Sequence, residues 1–248
     1  MKLYLRKFVF SVIVSVAFFV TESKSAEFDP IDLLAKAKAK YEQIEDYTAT
    51  FVKQQRIGGK LQKKEELFMK FKKPFCIYYK WLRPDKGKEV IYVDGKNNNK
   101  LIAHLGGAAS FFPISKWIKP TDPIAMSGNR YPITRSGIGN AIDSLMSQFK
   151  LAADNNELSV AYLGIEVLDG RRTHVIARRL PKDKKYACYI SIINIDIETK
   201  LPIRIASLDW DFTVKDIYYY KNLKINQGLT DQDFNPNNKA YRFGIFKF

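Results

Sequence analysis

Between Glu66 and Trp81 the chain reads ELFMKFKKPFCIYYKW, and this segment restricts the fold more than any other. In a strand, successive side chains point to opposite faces, so odd and even positions separate. The odd positions are Leu67, Met69, Phe71, Phe75, Ile77, Tyr79 and Trp81; the even ones are Phe68, Lys70, Lys72, Cys76, Tyr78, Lys80 and Leu82. A hairpin turning on Lys72-Lys73-Pro74, with Phe71 opposite Phe75, places the odd residues of both strands on one wholly apolar face. The lysines fall on the other. One face is built to be dry.

Similar strand-length runs surround it. Tyr47 to Arg56, Leu61 to Lys72, Phe75 to Leu82 and Glu89 to Val93 are joined by turn signals at Gly58-Gly59 and Asp94-Gly95. Connections this short make antiparallel pairs. Later come Leu158 to Leu168, Arg171 to Leu180, Tyr186 to Ile197, Leu201 to Trp210 and Phe212 to Ile225. Two helices are expected. Asp29-Pro30 opens one with an N-cap acceptor and proline at the first helical position, followed by Leu34, Ala37, Tyr41 and Ile44 on one face. Ile138, Ala141, Ile142, Leu145, Met146 and Phe149 mark the second. From Ala103 to Gly137 periodicity disappears among prolines and glycines, and a long loop carrying Phe111, Phe112 and Trp117 is expected to act as a lid. The pattern predicts a mainly β, α+β fold: about ten antiparallel strands in one unclosed, strongly curved sheet, with helices on its concave side.

Lys2, Arg6 and Lys7 precede an apolar run from Phe8 to Val20, with small residues at Ser23, Ser25 and Ala26. This is the pattern of a secretory signal peptide over residues 1–25, leaving 26–248 as one soluble, exported domain. Its removal takes four basic residues and one acidic one, so the formal charge falls from +15 to +12. An exported basic protein meets anionic headgroups and acidic envelope proteins rather than nucleic acid, and no nucleic-acid-reading motif is present. Cys76 and Cys188 are free to pair in an oxidising compartment if the fold brings them together, or to remain buried thiols.

The residues do not assemble into reactive chemistry. His104 and His174 lie in no zinc-binding spacing, Ser127 lacks a nucleophile-elbow frame, and Gly58-Gly59-Lys60 lacks the rest of a phosphate loop. Gly137-Ile138-Gly139 reads as a helix cap, and Asp209, Asp211, Asp231 and Asp233 read as turn residues. No enzyme, metal or cofactor is expected.

Tyr47-Thr48-Ala49-Thr50-Phe51-Val52-Lys53-Gln54, then Lys73-Pro74-Phe75, Trp81 with Pro84, and Val93-Asp94-Gly95-Lys96 stand in an order that resembles the LolA-like superfamily of periplasmic lipoprotein carriers. Asn226-Gln227-Gly228-Leu229 through Asp233-Phe234-Asn235-Pro236 is similar to the closing segment of related carriers. Most of the chain also resembles an exported bacterial family of unknown function within that superfamily. The resemblance implies an unclosed β-barrel lidded by helices that binds a lipid or acyl chain in the periplasm. Leu67, Met69, Phe71, Ile77, Tyr79 and Trp81 would then form the ligand wall. It also implies an alternative, an envelope sensor or regulator on the same scaffold that contacts a protein and transfers no lipid.

Overall fold

A computed structural model describes residues 29–106 and 114–244, together with the backbone of 246–247. The expected signal peptide, Phe111 and Phe112 lie outside the described residues. The elements run α1 (Pro30–Glu42), β1 (Asp46–Ile57), β2 (Lys60–Leu61), β3 (Glu65–Lys72), β4 (Cys76–Arg83), β5 (Glu89–Val93), β6 (Leu101–His104) and β7 (Ile114–Ile118). They continue through α2 (Pro123–Met126), α3 (Ile138–Asp154), β8 (Ser159–Leu168), β9 (Arg171–Arg179), β10 (Ile190–Asp196), β11 (Pro202–Leu208), β12 (Val214–Ile225) and β13 (Phe246–Lys247).

Twelve strands form one path, β13-β7-β6-β5-β4-β3-β1-β12-β11-β10-β9-β8, and β2 pairs with β1 off that path. Among the described residues that makes thirteen strands rather than about ten. Pairing is antiparallel except between β13 and β7. The two end strands do not pair with each other, so the sheet is an open, curved half-barrel. Twist accumulating across so many strands forces the curl, and the curl creates a concave face.

Helices α1 and α3 lie on that face. Asp29 caps α1 by accepting from the Ile31 N–H at 2.8 Å, and Leu33, Leu34, Ala37 and Tyr41 are buried. At the start of α3 no side chain of its own caps the helix; the Tyr47 hydroxyl of β1 accepts from the Ile138 N–H at 3.0 Å. Gly139 is required where the helices touch, because a Cβ there would lie 2.5 Å from the Tyr41 ring. Ala37, Tyr41, Ile138 and Ile142 pack on the β1–β4 half of the sheet. Leu33, Leu34, Leu145 and Phe149 pack on Ile176, Ile193, Ile195 and Ile205 of the other half.

Two expectations are corrected. Phe71 pairs with Ile77 instead of Phe75; the shift is two residues, so the parity argument survives it. The segment from Ala103 to Gly137 is not irregular throughout, since 114–118 forms β7 against β6. The lysine face is partly covered. Residues 229–243 fold over the outer face of β3–β6, where Phe234 and Phe243 join Cys76, Tyr78, Ile91 and Ile102. Tyr241 stacks on Tyr78 at 4.3 Å, and Lys70 pairs with Asp233 at 2.7 Å. Lys72 pairs with Asp231. Buried Asp46 anchors this segment by accepting from the N–H groups of Gln227, Gly228 and Leu229 at 2.6–3.0 Å.

Candidate functional site

The concave face is not filled from end to end. Beneath the first turns of α3, packing is tight: Phe71 stacks on Tyr47 at 5.0 Å, and a Cβ on Gly137 would lie 3.2 Å from the Phe71 ring. Farther along, the sheet, α3 and the segment preceding it diverge around a cavity of about 730 Å³. Its sheet wall carries Phe51, Leu67, Tyr79, Trp81, Tyr218 and Tyr220, with Val90, Leu101 and Ile118 beside them. Phe51 is the hub of the ring cluster, 6.0 Å from Tyr79, 6.1 Å from Tyr218 and 4.9 Å from Tyr220. These rings meet because β1 lies centrally between β3 and β12, so residues of one parity converge from both sides.

The six wall residues named from sequence are all buried on this face, but they divide. Leu67, Tyr79 and Trp81 line the cavity; Met69, Phe71 and Ile77 do not, being packed with α1 and the start of α3. Trp117 is also separate. It sits on β7 and packs with the outer-face cluster, whereas its neighbour Ile118 faces the cavity. Among the described residues, segment 120–137 lies against the cavity, with Pro120, Ile124, Ala125, Tyr131, Ile133 and Ser136 in the lining. Asn129 accepts from Lys53, the Arg130 N–H donates to Gln55 at 3.2 Å, and Arg130 pairs with Asp216 at 3.1 Å. Phe51, Tyr218 and Tyr220 were missed by the sequence reading, although their alternation on long strands carried the same parity signal as Leu67 and Tyr79.

The polar groups of the cavity are mostly paired. Lys53 meets Glu65 at 2.8 Å, Trp81 Nε1 donates to the same carboxylate at 2.7 Å, and Lys88 lies 4.4 Å from the Trp81 ring. Burial pulls the Lys88 ammonium below its usual range. It pushes the Tyr79, Tyr218 and Tyr220 hydroxyls upward, keeping them neutral. Burial likewise pushes the Asp216 carboxyl up, against the opposing pull of Arg130. His104 is buried at the cavity edge, with Nδ1 3.1 Å from the Ile114 carbonyl; His174 lies 3.1 Å from the Tyr162 hydroxyl. Cys76 and Cys188 are both buried and free. Among the described residues no group of three or more His, Cys, Asp or Glu side chains is placed to hold a metal ion.

In backbone architecture the chain is similar to the Mycobacterium tuberculosis lipoprotein LppX, with TM-score 0.48 and 14% identity over 82% of this chain and 99% of that one. It is similar also to MucB in the Pseudomonas aeruginosa MucA/MucB complex, with TM-score 0.43 and 14% identity over 83% and 60%. A third likeness is to the LolA superfamily protein NE2245 from Nitrosomonas europaea, with TM-score 0.34 and 9% identity over 82% and 96%. No curated protein matches the sequence. Residues 44–243 match the family described as "Protein of unknown function (DUF1571)", and the chain belongs to that family.

Proposed function

We propose that this protein binds a hydrophobic ligand, an acyl chain of a lipid or of an acylated protein, in the cavity under α3, and carries or presents it within the bacterial cell envelope. The observation that supports the reading is the cavity itself. Protein interiors pack closely and leave few voids larger than a water molecule, whereas about 730 Å³ lies within the usual range for small-molecule sites. Its wall of aromatic and aliphatic side chains favours apolar contents. Each methylene removed from water is worth roughly 0.8 kcal/mol, so about ten give roughly 8 kcal/mol before ordering costs. Binding of this kind needs burial and no covalent step.

The N-terminal pattern of basic residues and an apolar run supports export to the periplasm, where such a ligand is met. The basic balance of the chain favours approach to anionic headgroups. Lys70 and Lys72 contribute little, because aspartates neutralise them. Leu67, Tyr79 and Trp81 are proposed to contact the chain, with segment 120–137 as the cover. A second reading, an envelope interaction protein, is favoured by the end strand β8, where Tyr162, Leu163, Ile165 and Val167 are exposed.

Mass spectrometry of the purified exported protein under native conditions tests the first reading. Acyl-bearing adducts that denaturation releases are expected. Protein at its bare polypeptide mass, which takes up no acyl chain when one is added, overturns it.

A further inference from the structure

Among the described residues, one buried basic side chain on the concave face forms no ion pair. Arg178, on β9, lines the cavity and is 2% exposed. Its Nη2 donates to Ser191 Oγ at 3.0 Å and approaches Cys188 Sγ at 3.5 Å. The guanidinium carbon lies 5.4 Å from the centre of the Phe149 ring of α3. Nε and Nη1 find no acceptor among the described residues. Burial pulls the guanidinium below its ordinary range, and the groups favouring its charge are Cys188 and Tyr186, neither of them a carboxylate. Other arginines of the molecule are treated differently. Arg130 pairs with Asp216, Arg171 with Asp196, and Arg204 with Glu166.

Strand register shows what surrounds this cation. Arg178 stands opposite Ser191, Ser191 opposite Ser207, Ser207 opposite Asp216, and Asp216 opposite Gln55. All five line the cavity, so they form a polar rung across its floor. Two residues farther along the same face the rung is Ile176, Ile193, Ile205 and Tyr218. Of these, Ile205 and Tyr218 line the cavity, so on β11 and β12 its floor changes from polar to apolar within about 7 Å along the strands. Asp216 does not serve Arg178. Three strand spacings, about 14 Å, separate them, and Arg130 already holds the carboxylate. What remains unpaired on the rung is positive and lies at its β9 end.

A buried cation without a partner is costly, and an anion that reaches it removes that cost. Shielding from water also makes a charge-assisted hydrogen bond strong. We propose that the cavity is built for an anionic amphiphile, whose ionised head is received by Arg178 and the serines of the polar rung while its single chain lies on the aromatic wall. The proposal rests on the hydrophobic-ligand reading and adds the charge of the head group.

The test is competition for a neutral fluorescent probe, N-phenylnaphthylamine, by hexadecanoate and by hexadecanol at about pH 8, where the acid is ionised. The two chains are equal, and only the head differs. Wild-type protein is expected to favour hexadecanoate by about tenfold or more. Arg178→Met is expected to abolish the preference by weakening hexadecanoate while hexadecanol binds as before or more tightly; Arg178→Lys is expected to keep part of it. Equal binding of both chains to the wild type overturns the proposal yet leaves the hydrophobic-ligand reading standing, and this comparison needs no variant to fold. A preference that survives Arg178→Met overturns it as well. Protein that binds neither chain overturns both readings. Inorganic phosphate or acetate that stabilises the wild type against heat as much as hexadecanoate does would identify a small-anion site and sink the amphiphile.

Discussion

The hairpin β3–β4 presents two regions of one apolar face, identical in parity and different in fate. Met69, Phe71 and Ile77 lie where α1 and α3 descend onto the sheet; Leu67, Tyr79 and Trp81 lie where α3 has moved away. Strand alternation puts all six on the same side, and it says nothing about how far above them the next layer sits. That distance is set by Gly137 and Gly139, which let α3 approach Phe71, Tyr47 and Tyr41 at its start. Curvature opens the gap beyond. An apolar face is thus core at one end and container at the other, and the difference is made by the covering helix.

The most severe way to break this comparison is Met69→Gln. A buried amide without a partner adds to the lost packing, and unfolding in denaturant is expected to show a loss of roughly 2–5 kcal/mol. Tyr79→Gln, on the cavity side, is expected to cost about 1–2 kcal/mol while raising the dissociation constant of an acyl probe roughly tenfold. Equal destabilisation with equal probe binding would mean that the two regions are one packed core.

Gly139→Ala sharpens the comparison from the helix side. The added methyl meets the Tyr41 ring at 2.5 Å. An expected loss of roughly 1–3 kcal/mol, read from chemical unfolding, accompanies the displacement of α3. An unchanged stability would show that the helix contact does not set the gap.

The smallest effect is expected on the outer face. Lys70→Met leaves Asp233 without its partner in a partly exposed pair, at a cost of about 0.5–1 kcal/mol near neutrality. Acyl-probe affinity should not move, because this pair lies across the sheet from the cavity. Burial pushes the Asp233 carboxyl up, but hydrogen bonds from Lys70 and Thr230 outweigh it and hold the carboxyl below its usual range. A folded value below the unfolded one gives stability that is full above about pH 4 and is lost as the pH falls through the folded value. In the Lys70→Met variant the acid limb of the stability profile should flatten. If it keeps the wild-type slope, the pair is not what ties down the C-terminal segment.

Much of the sheet was legible because alternation is local. The runs at Glu89–Val93, Ser159–Leu168 and Val214–Ile225 announce themselves, and Asp29-Pro30 announces α1. The strand at 114–118 did not, since ISKWI is short and lies between Pro113 and Pro120; its pairing with β6 and β13 makes it a strand. Asp231 and Asp233 looked like turn residues, and their local hydrogen bonds fit that reading, but their lysine partners lie some 160 positions earlier. Arg178 carried no signal. Beside Arg179, at the end of a strand rich in arginine, it reads as one more solvated charge, and only the fold shows that it points inward.

The most direct test of the central claim, that this sheet holds an acyl chain between its concave wall and α3, is to locate one. Crystals of the protein grown with a bromine-tagged acyl chain would place the bromine by its anomalous scattering. The account predicts a single position among Phe51, Tyr79, Trp81 and Tyr218. Bromine bound only along the exposed edge of β8 or on the outer face, with the cavity free of acyl density, would contradict it.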